Sequence, residues 1–153
     1  MKNSLLTQIT LALPPGQYER VQTGLADAEN DLTNARRHLE SAQTIAKLDP
    51  VGSYQLAYDA ARKSIQAVLT ALGLRITSAG GHYGFVRVAE SGIFEAPAWR
   101  EFRTMRIVRN QVEYPETSAP LLDEKTVRFA IECGDYMQQE ATQLLDSLGS
   151  LHA

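Results

Sequence analysis

Residues 102–115 read FRTMRIVRNQVEYP. Arg103, Arg106 and Arg109 recur every third residue, Asn110 follows the last of them, and Glu113-Tyr114-Pro115 closes the run. At about 100° per residue, Met105, Val108 and Val112 share one apolar arc of a helix, with Arg106, Arg109, Asn110 and Glu113 on the arc beside it. The pattern predicts a helix with a buried stripe and a cationic edge at the rim of a groove. Pro115 pushes Tyr114 out of the helical region and ends the helix there. Guanidinium groups along one edge suit a phosphate-rich ligand, because each carries forked donors and a permanent charge. The same spacing also permits a plainer arrangement, in which Arg109 pairs with Glu113 and Arg106 with Asn110 one turn on.

Working outward, the chain keeps helical periodicity almost throughout. Tyr18, Val21, Leu25, Ala28, Leu32, Ala35, Leu39, Ala42 and Ala46 alternate in steps of three and four, a heptad seam along a helix over residues 17–48. Asp49-Pro50 supplies an N-cap and a first helical residue for a second helix over 50–72, which Gly73 ends. Residues 73–84, GLRITSAGGHYG, read as a glycine-rich loop and 85–94 as a short helix; Trp99 opens the arginine helix, 98–114. The last helix starts between Pro120 and Asp123, and its seam runs Val127, Ala130, Gly134, Met137, Ala141, Leu144 and Leu148. The two long seams are expected to pack as an antiparallel pair, with small residues allowing close approach. No strand pattern or internal repeat stands out. The fold class expected is all-α: an antiparallel bundle of four to five helices over 17–148, preceded by an arm or short helix over 1–16.

The chain has 153 residues, 44% hydrophobic and 22% charged, which fits one soluble domain with a real core. A net charge of −3 and a pI near 5.6 exclude a generally basic nucleic-acid coat, so a nucleic-acid contact must be a local patch. The single cysteine, Cys133, excludes an internal disulfide framework and a cysteine zinc cluster. His38, His82 and His152 lack ligand spacing, so no metal site and no cofactor is expected. The first apolar run is broken by Thr7, Gln8 and Thr10, and no stretch approaches a membrane span. The chain reads as cytoplasmic.

The order of these features resembles the HEPN superfamily (higher eukaryotes and prokaryotes nucleotide-binding): a long first helix, a second reading YDAARKSIQAVLTALGL, a Gly-Gly-His loop, then a helix ending Arg-Asn-x-x-Glu-Tyr. Within it the chain is similar to an actinobacterial-type branch, over residues 17–148. The resemblance implies a HEPN-like bundle that acts as a homodimer, with an antitoxin or a nucleotidyltransferase as a further partner. Nuclease members cut RNA without a metal, using the ribose 2′-hydroxyl, and serve as toxins or defence effectors. By position Arg109 matches the motif arginine and Asn110 the polar residue, while Tyr114 stands where the nucleases have histidine. Arg109, Asn110 and Tyr114 are therefore the candidate catalytic residues, and Arg103, Arg106 and His82 the candidate RNA- or phosphate-binding ones. A tyrosine with a reference pKa of about 10 is a poor base at neutral pH. His82 supplies the missing group if its loop folds over the groove. The alternative is a non-catalytic HEPN module that binds a nucleotide or a protein partner through a degenerate site.

Overall fold

A computed structural model describes residues 1–95, 97–113 and 122–150. Six α-helices lie among them: α1 (Lys2–Ala12), α2 (Leu25–Ile45), α3 (Pro50–Ala71), α4 (Gly81–Ala89), α5 (Phe102–Glu113) and α6 (Glu124–Ser150). Two short strands, β1 (Tyr18–Arg20) and β2 (Leu74–Ile76), and a 3₁₀ turn over Pro97–Glu101 complete them. The fold is an all-α bundle, as the periodicity predicts.

α2, α3 and α6 make the trunk. The heptad seam of α2 is buried at Ala28, Leu32, Ala35, Leu39 and Ala42. Asp49 caps α3 by accepting from the Gly52 amide at 2.9 Å, with Pro50 in the first helical position. α2 and α3 run antiparallel: Ser53 Oγ donates to the Ala42 carbonyl at one end, and Gln66 and Thr70 donate to Asp31 towards the other. α6 lies antiparallel to α2. Gly149 faces Leu25, and Arg36 reaches Asp135 at 2.7 Å and Gln138 at 2.6 Å. The small residue at Gly134 is what the close approach needs, since a Cβ there would sit 3.0 Å from Leu39 Cδ2 and 3.2 Å from the Ala57 carbonyl. α1 joins the same core through Leu5, Ile9 and Leu13.

Three expectations change. The first long helix begins at Leu25, not at residue 17, because residues 18–20 pair with 74–76 as an antiparallel ribbon (Tyr18↔Ile76, Glu19↔Arg75, Arg20↔Leu74). Tyr18 and Val21 stand three apart, a spacing that helix and short strand share. The deciding signal is Gly24 followed three residues later by Asp27, whose carboxylate accepts the Gly24 amide at 3.0 Å at the true helix start. Second, residues 73–84 are not one loop. Leu74 is buried and Arg75 exposed on β2, and α4 begins at Gly81 and ends at Ala89 rather than spanning 85–94. Third, the stretch from 98 is a 3₁₀ turn before it is an α-helix, and the last helix starts at Glu124, just past the expected start.

The ribbon positions α4. Thr77 donates its amide to the Gln17 carbonyl and its hydroxyl to the Gly16 carbonyl, tying the linker before α2 to the one before α4. On either side of His82, Gly80 and Gly84 serve close packing, whereas Gly81 faces open space and takes a positive φ of 53°. A Cβ on Gly80 would lie 2.7 Å from both the Gln17 carbonyl and Ile76 Cγ2, and one on Gly84 2.9 Å from Ile76 Cγ2. α5 is anchored by Trp99, which stacks on Phe94 with ring centroids 3.5 Å apart and donates its indole N–H to Glu140 of α6. The other oxygen of Glu140 accepts the Glu95 amide at 2.6 Å. Gly80→Ala must push α4 off the ribbon. It is expected to destabilise the fold by about 1–3 kcal/mol, read as a melting temperature several degrees lower; an unchanged melting curve would contradict this packing role.

Candidate functional site

An open cleft of about 790 Å³ lies where α3, α4 and α5 meet, with Tyr58, Asp59, Arg62, His82, Arg109 and Glu113 among its walls. That volume is within the usual range for small-ligand sites. Its floor is Tyr58, a buried phenol on α3. The ring stacks on Phe102 of α5 at 5.3 Å, and the Arg109 guanidinium lies 5.7 Å from its centroid. Its hydroxyl is 3.3 Å from His82 Nδ1 at the start of α4. The segment carrying His82 therefore does fold onto the arginine helix, which sequence reading left conditional.

The electrostatics sort these groups. Burial pushes the His82 imidazole below its ordinary 6.5, and the Arg62, Arg109 and Arg106 charges push it the same way. The ring is neutral at pH 7. Burial also raises the Tyr58 phenol, against the pull of Arg106, Arg109 and Arg62, so it keeps its proton. A neutral imidazole facing a protonated phenol has two arrangements. When Nδ1–H donates to the phenol oxygen, Nε2 is left as an acceptor; when the phenol donates to Nδ1, Nε2 carries the proton.

The arginine edge divides into paired and unpaired members. Arg109 makes the pair its spacing allows, with Glu113 at 2.7 Å, and also donates to Asn110 at 3.2 Å. The alternative Arg106–Asn110 contact is not made; Arg109 takes Asn110 instead. Arg103 turns to α4 and binds Glu90 at 2.7 and 2.9 Å. Arg106 has no carboxylate partner among the described residues, and its Nε is buried without a hydrogen bond there. Arg62 binds Asp59 at 2.7 Å and covers the Phe85 ring. Burial raises the Asp59 carboxyl, but hydrogen bonds and charge from Arg62, with Lys63 and His38 adding charge, outweigh it and hold the group below its ordinary value.

Of the six sequence-derived site residues, His82 and Arg109 come together at the cleft, Asn110 is tied to it through its hydrogen bond with Arg109, and Arg106 lies close enough to bias both His82 and Tyr58. Arg103 sits further along α5, beside Tyr83 and Glu90. Tyr114 falls outside the described residues. Sequence reading missed Tyr58, Arg62, Tyr83 and Arg87. Tyr58 looks like one more apolar-face residue of α3, and Tyr83 and Arg87 become helix neighbours only once α4 is known to start at Gly81.

No family model matches the chain, and no curated protein or solved structure matches it either. No helix among the described residues is long and apolar enough to cross a membrane.

The folded His82 value lies below the unfolded one. The stability it contributes is present above about pH 6.5 and is lost as pH falls through the folded value. An NMR titration of the His82 ring should show a midpoint below 6.5 that rises in Arg109→Ala, which removes one of the opposing charges. A midpoint at or above 6.5 would contradict the site's electrostatics.

Proposed function

We propose that the protein is a metal-independent RNA endonuclease of the HEPN type, with Arg109 holding the scissile phosphate and His82 handling the proton. The observation that carries this reading is the placement of His82 Nδ1 against the Tyr58 hydroxyl, at the cleft that Arg109 lines. Tyr114 stands in the motif's histidine position, yet a histidine reaches the same cleft from a different helix. The family resemblance of the Arg109-Asn110 segment supports the substrate class.

Chemically, Nε2 of the neutral imidazole takes the ribose 2′-hydroxyl proton as that oxygen attacks phosphorus. The bond from phosphorus to the 5′-oxygen breaks, and the 5′-oxygen leaves with a proton from the solvent-accessible cleft. The products are a 2′,3′-cyclic phosphate and a 5′-hydroxyl. Charge that gathers on the non-bridging oxygens meets Arg109, and Asn110 orients the same group. To bind, phosphate must displace Glu113 from Arg109. Both partners are partly exposed, 24% and 32%, and such a pair contributes only about 0–1 kcal/mol. A forked, charge-assisted contact to phosphate outweighs that. Two copies bring two arginine edges to one phosphodiester. Leu48 and Val51, 88% and 40% exposed and next in sequence to the cleft residues Asp49 and Gly52, offer apolar surface near the mouth for a second copy.

A second reading is favoured by the ion pairs themselves. With Arg103 held by Glu90 and Arg109 by Glu113, the same cleft serves as a non-catalytic nucleotide- or partner-binding module. One experiment separates the two. Incubation with single-stranded RNA in EDTA should give cyclic-phosphate ends. Arg109→Ala should cost about 10²–10³-fold in rate and His82→Ala about 10²–10⁴-fold, with melting temperatures little changed. RNA left intact at high protein concentration, or cut by both variants at the wild-type rate, would remove the nuclease reading.

A further inference from the structure

One turn away from the cleft, three guanidiniums surround a single ring. Arg87 of α4 lies 5.0 Å from the Tyr83 centroid, Arg103 of α5 5.4 Å and Arg106 of α5 5.8 Å. The ring quadrupole attracts each cation by about 0.5–1 kcal/mol at exposed sites, which helps gather like charges that otherwise repel. Among the described residues only one carboxylate, Glu90, reaches this group, and it is taken up by Arg103. Arg87 and Arg106 are left without an acidic partner there, and the Nε of each is buried with no hydrogen bond. A cluster of this kind carries excess positive charge at a fixed place on a chain whose net charge is −3. It is the local patch that the overall acidity demands of any polyanion contact.

We infer that Arg87 and Arg106, gathered by the Tyr83 ring with Arg103 beside them, form a second phosphate subsite for a nucleic-acid strand whose neighbouring phosphate occupies the Arg109 cleft. The arrangement along α5 supplies the register. Arg106 and Arg109 are three residues apart, about 4.5 Å of helix rise, close to the rise of about 3.4 Å per nucleotide along one stacked strand. The ligand class that follows is a single strand with several phosphates, not a mononucleotide, because one phosphate cannot fill both places. For the identity of the polyanion the inference rests on the reading of the cleft given above; the cluster's need for an anion does not.

The test is binding of a fluorescein-labelled, eight-nucleotide oligodeoxythymidylate, which lacks the 2′-hydroxyl and cannot be cut, measured by anisotropy against salt concentration. Adenosine monophosphate serves as the single-phosphate probe. Arg87→Gln should weaken oligonucleotide binding about tenfold and lower the log–log salt slope by about 0.7, with a smaller loss for adenosine monophosphate, whose one phosphate still has the Arg109 cleft. Arg87→Lys should keep most of the slope. Tyr83→Leu should weaken the oligonucleotide and Tyr83→Phe should not, since the phenyl ring still gathers the cations. If Arg87→Gln proves poorly folded, the Tyr83→Leu and Tyr83→Phe pair decides. Oligonucleotide affinity and slope equal to the wild type in Arg87→Gln and Tyr83→Leu would overturn the subsite, as would a wild-type protein that does not bind the oligonucleotide. Arg87-dependent binding without RNA cleavage would leave the subsite standing and remove the nuclease reading. Cleavage with Arg87-independent binding would do the reverse.

Discussion

The contact on which the site depends is made by a core residue. Tyr58 is buried in the trunk on α3, yet its ring stacks on Phe102 of α5 and its hydroxyl meets His82 of α4. One phenol therefore fixes three helices relative to one another at the point where the cleft opens. An aromatic pair of this geometry contributes about 0.5–1.5 kcal/mol beyond burial, and the polar tip lets the ring serve core and cleft at once. Around it, the bundle leaves little freedom. The ribbon holds α4 from behind, Gly80 and Gly84 let it sit down on Ile76, and Trp99 with Glu140 holds the start of α5 against α6.

Arginine chemistry then depends on which carboxylate each side chain meets. Asp59 holds Arg62, Glu90 holds Arg103 and Glu113 holds Arg109, so partly exposed ion pairs account for three of the cations. Such pairs stabilise the fold weakly and exchange partners readily. Arg87 and Arg106 are different: they sit against an aromatic ring, with buried Nε groups and no acid among the described residues. The thiol of Cys133 takes no part; burial, with Glu101 and Glu132 nearby, pushes it up to about 11.

Much of this was legible in the residues. The seams at Ala28–Ala42 and Val127–Leu148, the Asp49-Pro50 start and the Met105 stripe all follow from helical spacing, although Leu145 rather than Leu144 is buried in the last helix and, of the stripe, Met105 is buried while Val108 and Val112 are half-buried. The arginine edge and the Arg109–Glu113 alternative were readable too. What sequence could not convey were features that depend on distant partners. A three-residue strand has no period long enough to stand out from a helix seam, and β1 exists because residues 74–76 are there to pair with it. The glycines before His82 resemble a loop signal, whereas Gly80 is there for contact with Ile76 nearby and with Gln17 far back in the chain. Tyr58 and Tyr83 acquire their roles only when α4 and α5 are folded against α3.

The central claim is that His82 and Arg109 face one phosphate across the Tyr58 ring. The most direct measurement is a nitrogen-15 NMR titration of the His82 ring and the Arg109 Nε with the non-cleavable oligodeoxynucleotide. The account predicts that both signals move together along one binding curve, and that the His82 midpoint rises as bound phosphate offsets the arginine charges. Movement of neither signal, or of Arg109 alone with His82 unmoved at saturation, would contradict it.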